Sequence, residues 1–336
     1  MSTEQQRALK RVLVTGATGF LGLRTVDFLL EAGYMVRALV RGSSDTSALR
    51  ERNVEIVVGS LEPAVGLDAA VSGVDAIVHS AGGGRAIGKD ALFAANTETT
   101  RNLIEAAKRS APQLERFVLV SSLAAHGPSD DGRPRDVKSP RRPVTQYGAS
   151  KAAAETLALA EADALPVTVL RPPVIYGPGD ARILPLFKWA ARGVVPLPSI
   201  AESASMVHVD DCARAILRIL ETPHPSGRIY FVEDGSSPAM SDVIGAIGAA
   251  VGRTRRPRRL PLPRALLLAA AALVSFFARL LRRPAMLNSD KVRDLTQRHW
   301  VCDSEPIQRE LGWRPQVAFA EGARATAHWY RAQGLL

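Results

Sequence analysis

Tyr147 and Lys151 stand four residues apart at the start of an apolar run that reads as helix, so both side chains emerge on one face, a turn from each other. An ammonium held beside a phenol favours the phenolate and lowers a pKa that starts near ~10. A phenol tuned in that way can pass a proton to or from a substrate oxygen near neutral pH. Most Tyr-x-x-x-Lys pairs are ordinary helix surface, so the weight of this one depends on what precedes it. Near the N-terminus, Val12-Leu13-Val14-Thr15 runs into Gly16-Ala17-Thr18-Gly19-Phe20-Leu21-Gly22, which reads as strand, tight turn and helix start. Glycines let the backbone approach a pyrophosphate closely, and the helix N-terminus offers N–H groups and a partial positive charge. The spacing is Gly-x-x-Gly-x-x-Gly rather than the commoner Gly-x-Gly-x-x-Gly, yet a strand and a helix stand on either side as dinucleotide binding requires.

The second strand ends Val36-Arg37-Ala38-Leu39-Val40-Arg41, with no acid until Asp45. An NAD site usually places a carboxylate near this point to hold the ribose hydroxyls, whereas an arginine accommodates the 2′-phosphate of NADP. NADP(H) is therefore favoured and NAD(H) kept as the alternative, with Arg41 the first candidate for the phosphate and Arg37 the second. The bland reading is an Arg41 that ends a strand in solvent.

The elements that must position these groups follow from periodicity. Apolar runs at Arg11–Thr15, Met35–Val40, Val54–Val58, Ala76–Ser80, Phe117–Ser121 and Val167–Arg171 predict strands, and Phe20–Ala32, Asn96–Arg109 and Tyr147–Ala164 predict helices. Several strands are continuously apolar, as expected when helices cover both faces of a parallel sheet. The fold class is α/β: a Rossmann-type doubly wound sheet with ligands at the carboxyl ends of its strands, followed by a smaller, mostly helical C-terminal region. Residues 1–175 read as the dinucleotide-binding domain, with 205–232 returning to it, and 176–336 mainly as the substrate-binding region. Gly127–Val144, rich in Pro, Asp, Arg and Ser, reads as a mobile loop before the Tyr147 helix.

Composition narrows the class of partner. Hydrophobic content of 46% and charged content of 23% fit a globular chain with a real core. The net charge of +10 is carried by 36 Arg and 7 Lys, and its densest cluster is Arg253, Arg255, Arg256, Arg258, Arg259 and Arg264. No nucleic-acid motif or aromatic interleaving accompanies that cluster, so nucleic-acid binding is set aside. Cys212 and Cys302 stand far apart without His or Cys at metal spacing, which argues against a metal site and against a disulfide framework. The polar N-terminus runs directly into a strand, so no signal peptide is read, and a cytoplasmic protein is expected.

With the glycine turn, Ser121-Ser122 and the Tyr147/Lys151 pair together, the chain resembles the extended short-chain dehydrogenase/reductases, the NAD-dependent epimerase/dehydratase group. Supporting landmarks are Val78-His79-Ser80-Ala81-Gly82, Asn96, Leu170-Arg171-Pro172-Pro173-Val174-Ile175-Tyr176-Gly177-Pro178, His208-Val209-Asp210-Asp211 and Leu311-Gly312-Trp313-Arg314-Pro315. The resemblance implies that Ser122 hydrogen-bonds the substrate oxygen, that Tyr147 is the general acid/base, and that Lys151 holds the nicotinamide ribose and lowers the Tyr147 pKa. It also implies cofactor contacts from Gly16, Thr18, Gly19, Phe20, Leu21 and Gly22, from Ser60 and Leu61, from Ser80, Ala81 and Gly82, and from Ser121, Pro172 and Val174. His79 reads as a packed, hydrogen-bonded residue and His208 as structural, while His126 is expected near the substrate side.

The substrate is less legible. Relatives that are nucleotide-sugar 4,6-dehydratases carry an acidic pair after the catalytic hydroxyl, where this chain has Leu123-Ala124-Ala125, so elimination chemistry is disfavoured. Leu260-Pro261-Leu262-Pro263-Arg264 leads into the uncharged run Ala265–Ala278, followed by Arg279, Arg282 and Arg283. That run is too short to span a bilayer, which takes about 20 residues. It could lie in a membrane interface or cover a lipophilic pocket, giving peripheral membrane contact through 260–283, or serve as a buried core or homodimer helix. Pro-flanked apolar segments of this kind occur in relatives resembling 3β-hydroxysteroid dehydrogenases. The expectation is an NADP(H)-dependent oxidoreductase that interconverts a secondary alcohol and a ketone on a hydrophobic substrate, sterol-like or β-keto acyl/polyketide-like. Its rivals are a nucleotide-sugar epimerase with tightly bound NAD and a cofactor-sensing protein without catalysis.

Overall fold

The computed structural model describes residues 10–83, 88–235, 238–280 and 288–336, without the side chains of 275–280. Six strands, β1 (Arg11–Thr15), β2 (Met35–Val40), β3 (Glu55–Val58), β4 (Ala76–His79), β5 (Arg116–Val120) and β6 (Val167–Arg171), and a seventh at Arg228–Phe231 form one parallel sheet. Its order is Arg228–Phe231, β6, β5, β4, β1, β2, β3. Each of the six predicted strands is present to within a residue or so at its ends.

Side chains alternate across the pleat, so Val12 and Val14 enter one core layer with Val26 and Ile216, while Leu13 enters the other with Ile77, Leu103 and Phe117. Both faces are covered, which is why these strands read as unbroken apolar runs. β1 pairs with β2 on one side and β4 on the other, so the winding direction reverses beside it. At such a reversal the loops leaving the two strands part and open a crevice at their carboxyl ends. Thr15, opposite His79, marks that edge.

The later landmarks are joints of this frame. Trp313 is buried and donates its indole N–H to the Asp211 carbonyl at 3.1 Å, while the Asp211 carboxylate accepts from the Gln316 and Val317 N–H groups at 3.0 and 2.9 Å. His208 caps the Val209–Glu221 helix, its Nδ1 accepting from the Asp210 N–H at 3.3 Å, which is the structural role expected for it.

Gly127–Val144 is irregular but tethered. Ser129 and Arg135 donate backbone N–H groups to His299 (2.9 Å) and Val301 (3.0 Å), and Arg142 donates to His126 (2.7 Å). Polar backbone laid against the C-terminal region finds its partners there. The helix expected at Asn96 begins instead with a wide π turn, Ala94–Glu98, before Thr99–Ser110.

The apolar run forms a helix, Arg264–Leu280, preceded by a strand, Arg258–Leu262, that pairs with Val194–Pro198. Leu267 and Ala271 are buried against Val292, whereas Leu266, Leu268, Leu273 and Val274 face solvent. Among the described residues no helix is long and apolar enough to cross a membrane. The Arg279 side chain, Arg282 and Arg283 lie outside the described residues.

Candidate active site

The glycine turn bends from β1 into helix α1 (Phe20–Glu31). Gly16 takes φ +72°, and a Cβ there would lie 2.8 Å from the Ala81 nitrogen, so a side chain is excluded twice over. Gly22 lets the helix seat on the turn, since a Cβ would come within 2.0 Å of the Gly16 carbonyl oxygen. The Gly19 N-cap supplies no side-chain acceptor, and the first turn of α1 holds no acid. The helix therefore presents uncapped N–H groups and its positive end to a cavity of about 200 Å³ lined by Gly16, Gly19, Phe20, Leu21, Gly22, Ser80, Gly82, Ile175 and Arg182. That donor set fits the pyrophosphate of a dinucleotide.

Of the remaining cofactor candidates, Thr18 is exposed at the turn and Ala81 donates its N–H to the Thr15 hydroxyl at 3.3 Å. Arg41 is exposed at the end of β2 and makes no ion pair among the described residues. Arg37, the second candidate, is committed elsewhere. Its guanidinium binds Glu55 at 2.8 Å and the carbonyls of Ala69, Ala70 and Ser72 at 3.2, 3.0 and 2.7 Å, because its place on the strand turns it toward the end of the Leu67–Val71 helix. Ser60 donates to the Glu62 carbonyl (3.0 Å) and the Leu61 carbonyl accepts from Asn102 (2.7 Å). Pro172 is buried, its carbonyl accepting the Leu123 N–H at 2.8 Å, and Val174 is exposed.

Tyr147 and Lys151 lie on the Gln146–Ala160 helix. The Thr145 hydroxyl accepts the Gly148 N–H at 2.9 Å, and a second acceptor arrives from far along the chain: the Asp290 carboxylate takes the Gln146 N–H at 2.9 and 3.0 Å. Lys151 is buried and donates to the Val120 carbonyl at 3.0 Å, leaving two of its ammonium protons for other acceptors. Burial pulls its pKa down to about 8, against the opposing pull of Glu155. Ser122 accepts the Ala124 N–H at 3.1 Å, so its own proton is free to be donated.

Tyr147 departs from the expectation that Lys151 lowers its pKa. Burial raises it, and the groups acting in the opposite sense are the Ser122 hydroxyl and the Arg182 guanidinium. The Lys151 ammonium is instead directed at a strand-end carbonyl. A phenol held in its protonated form is suited to giving a proton.

Behind these residues lies a buried network that the sequence reading did not contain. Arg171 donates to both oxygens of Glu155 at 2.9 and 2.6 Å, and Ser121 donates to the same carboxylate at 2.5 Å, which commits the Ser121 proton and leaves its hydroxyl oxygen as an acceptor. The third arm of Arg171 reaches His126 Nδ1 at 2.9 Å, and His126 Nε2 meets the Ser139 hydroxyl at 2.9 Å. Burial first, and then Arg171, push the His126 pKa down to about 3, so the ring is a neutral acceptor. It is fully buried. His79 matches its expectation, held between Thr15 (2.7 Å) and Thr100 (3.1 Å). Asn96, turned inward by the π turn, donates to Ser150 at 3.0 Å and accepts the Gly83 N–H at 2.9 Å, bracing the Tyr147 helix against the strand-end loop.

Residues 12–232 match the model of the NAD dependent epimerase/dehydratase family. The chain belongs to that family. Relatives similar to it over nearly their whole length include the ceramide reductase of Caulobacter vibrioides (strain NA1000 / CB15N), 33% identical over 97% of this chain and 96% of that one. The 2-alkyl-3-oxoalkanoate reductase of Stenotrophomonas maltophilia (strain K279a) is 31% identical over 94% and 97%. Among solved structures, the UDP-glucuronic acid 4-epimerase of Bacillus cereus, in complex with UDP-glucuronic acid and NAD, superposes with a TM-score of 0.76 over 96% of this chain and 99% of that one. At 19% identity, that likeness is one of fold. This family member is thus an enzyme of CH–OH chemistry with an extended short-chain dehydrogenase/reductase fold.

Proposed function

We propose that this enzyme is an NADP(H)-dependent reductase that interconverts a ketone and a secondary alcohol on a bulky hydrophobic substrate, sterol-like or β-keto acyl/polyketide-like. The observation that carries the substrate class is the path from an exposed apolar helix to the phenol. Arg264–Leu280 leaves Leu266, Leu268 and Leu273 in solvent at 55%, 38% and 59% exposure and packs through Leu267 on Val292. Val292 belongs to the Ser289–Leu295 helix, whose Asp290 caps the helix of Tyr147. The helix that carries that apolar surface thus packs on the short helix that caps the Tyr147 helix, so an apolar molecule lodged there sits two helices from the reacting group. The substrates named for the ceramide and 2-alkyl-3-oxoalkanoate reductases point the same way. With Arg255, Arg258 and Arg264 exposed beside the helix, the same face suits contact with an anionic membrane surface from which such a substrate is drawn.

The chain's own groups then divide the work. When bound, the reduced nicotinamide supplies the hydride. Lys151, an ammonium below about pH 8, holds the adjoining ribose hydroxyls with the donors that Val120 leaves unused. Ser122 donates to the ketone oxygen and takes part of the charge that develops there. Tyr147 Oη gives its proton to the same oxygen, which its burial-raised pKa favours in the reductive direction. Arg41 is assigned to the 2′-phosphate by its position at the end of β2 and by the lack of an ion-pair partner among the described residues.

The test is turnover of apolar ketones (a 3-ketosteroid, a long-chain β-keto ester, 3-ketodihydrosphingosine-like amides) with NADPH, followed at ~340 nm, beside UDP-glucose and UDP-glucuronic acid followed for epimerisation. Consumption of NADPH with an apolar ketone alone is expected. Epimerisation without net cofactor oxidation, on a protein that purifies with NAD bound, overturns it.

A further inference from the structure

Arg182 is no candidate in the sequence, yet it shares the lining of the cofactor cavity with the glycine turn and is the only charged residue there among the described residues. A dinucleotide brings a pyrophosphate with two negative charges to that turn. The end of α1 offers roughly half a positive charge, and Gly16–Gly22 contains no Lys or Arg. Among the described residues the local balance is short of positive charge, and a guanidinium fork is the side chain best matched to phosphate oxygens.

The way Arg182 is held separates it from an ordinary surface arginine. Its partner, Asp180, is almost wholly buried (2% side-chain exposure), while the Arg182 side chain is 58% exposed. One Asp180 oxygen takes both the Arg182 backbone N–H and its Nε at 2.9 Å. The Asp180 backbone is itself fixed, its carbonyl accepting the Tyr330 hydroxyl. One terminal nitrogen reaches the Ile175 carbonyl at 3.1 Å. The guanidinium carbon lies 5.6 Å from the centre of the Phe20 ring, over the first residue of α1. A buried acid thus grips the stem side of the fork, and an aromatic face steadies it where the helix begins. A surface ion pair would leave both partners in water and fix neither. The fork is pre-organised, so little side-chain entropy is lost when an anion arrives.

We propose that Arg182 is a cofactor-binding residue that clamps the pyrophosphate of the dinucleotide against the N-terminus of α1. This assignment rests on the reading that the cavity takes a dinucleotide, and it is independent of the choice between NAD and NADP made at Arg41. It also gives Arg182 a place between the phosphates and the reacting end, in keeping with the influence of its charge on Tyr147.

The experiment is calorimetric titration of the native protein, Arg182→Gln and Arg182→Lys with NADH, NADPH and ADP-ribose, with unfolding temperature as the control for folding. Loss of a charge-assisted pair of hydrogen bonds predicts that Arg182→Gln weakens all three ligands alike, by roughly ten- to a hundredfold. Arg182→Lys, which keeps the charge but not the fork, recovers part of the loss. Unchanged affinity of Arg182→Gln overturns the clamp. So does a loss confined to NADPH, which puts the residue at the 2′-phosphate, or a loss for the dinucleotides but not ADP-ribose, which puts it at the nicotinamide end. If the native protein binds none of the three, the cofactor reading itself falls and the clamp with it.

Discussion

Replacing Glu155 with Gln keeps the side chain's shape and removes one charge from the network behind the catalytic helix. Glu155 and Arg171 are 0% and 1% exposed, so the guanidinium left behind has no water to turn to. His126, on its other side, is neutral, with a pKa pushed down to about 3 by burial and by Arg171, and cannot balance the charge. Stranding one member of a buried pair costs about 3–5 kcal/mol. For a chain of this size that lowers the unfolding temperature by roughly 4–7 °C, read by near-ultraviolet circular dichroism at neutral pH. The double variant Glu155→Leu/Arg171→Met removes both charges together and is expected to melt above the single one. The substitution has a second readout through Lys151, whose pKa Glu155 raises against burial. Lysine is charged below its pKa, so activity that needs the ammonium is full at low pH and lost as pH rises through about 8. Glu155→Gln moves that basic limb to lower pH. The same lysine makes stability rise between about pH 8 and its ordinary 10.5, since there the unfolded chain binds more protons than the folded one. A single variant that melts with the native protein and keeps its pH limb, or a double variant that melts lower still, would refute the assignment of the network as a charge-balanced support for Lys151.

Tyr147→Phe is expected to lower kcat by roughly a hundred- to ten-thousandfold while leaving NADPH affinity nearly intact, as followed by calorimetry and steady-state rates; native-like turnover would remove the acid/base role. Arg41→Ala should weaken NADPH by about ten- to a hundredfold and NADH hardly at all, whereas equal losses, or equal affinities in the native protein, would take the 2′-phosphate away from this residue. Asp290→Ala removes an acceptor at the start of the catalytic helix, worth about 1 kcal/mol, so a fall of about 1–2 °C in unfolding temperature is expected, with kcat reduced and cofactor affinity unchanged. A drop in cofactor affinity with kcat preserved would show that the cap steadies the cofactor side instead.

The chemistry legible in the chain is the chemistry carried by local spacing. Gly16, Gly19 and Gly22 act within one turn, Tyr147 and Lys151 within one helical turn, and the unbroken apolar strands announce a sheet whose central strands are covered on both faces. These are contacts among near neighbours, so order along the chain is enough to reveal them. Arg37 marks the limit: its type suggested a phosphate, but only the sheet decides that its guanidinium meets Glu55 and three carbonyls at the end of a helix. His126 is a similar case, since only the fold shows that its ring is held between Arg171 and Ser139. Asp290 reaches Gln146 across 144 residues of sequence, and Arg182 joins the glycine turn only because Gly177–Arg182 is folded back over Phe20. Whether burial raises the Tyr147 pKa or a cation lowers it depends on how much water and which charges the folded chain leaves around the phenol, and spacing carries no record of either. The sequence therefore determined the fold and the kind of reaction through short-range pattern, while the tertiary structure decided which charges are spent on the frame and which are left for cofactor and substrate.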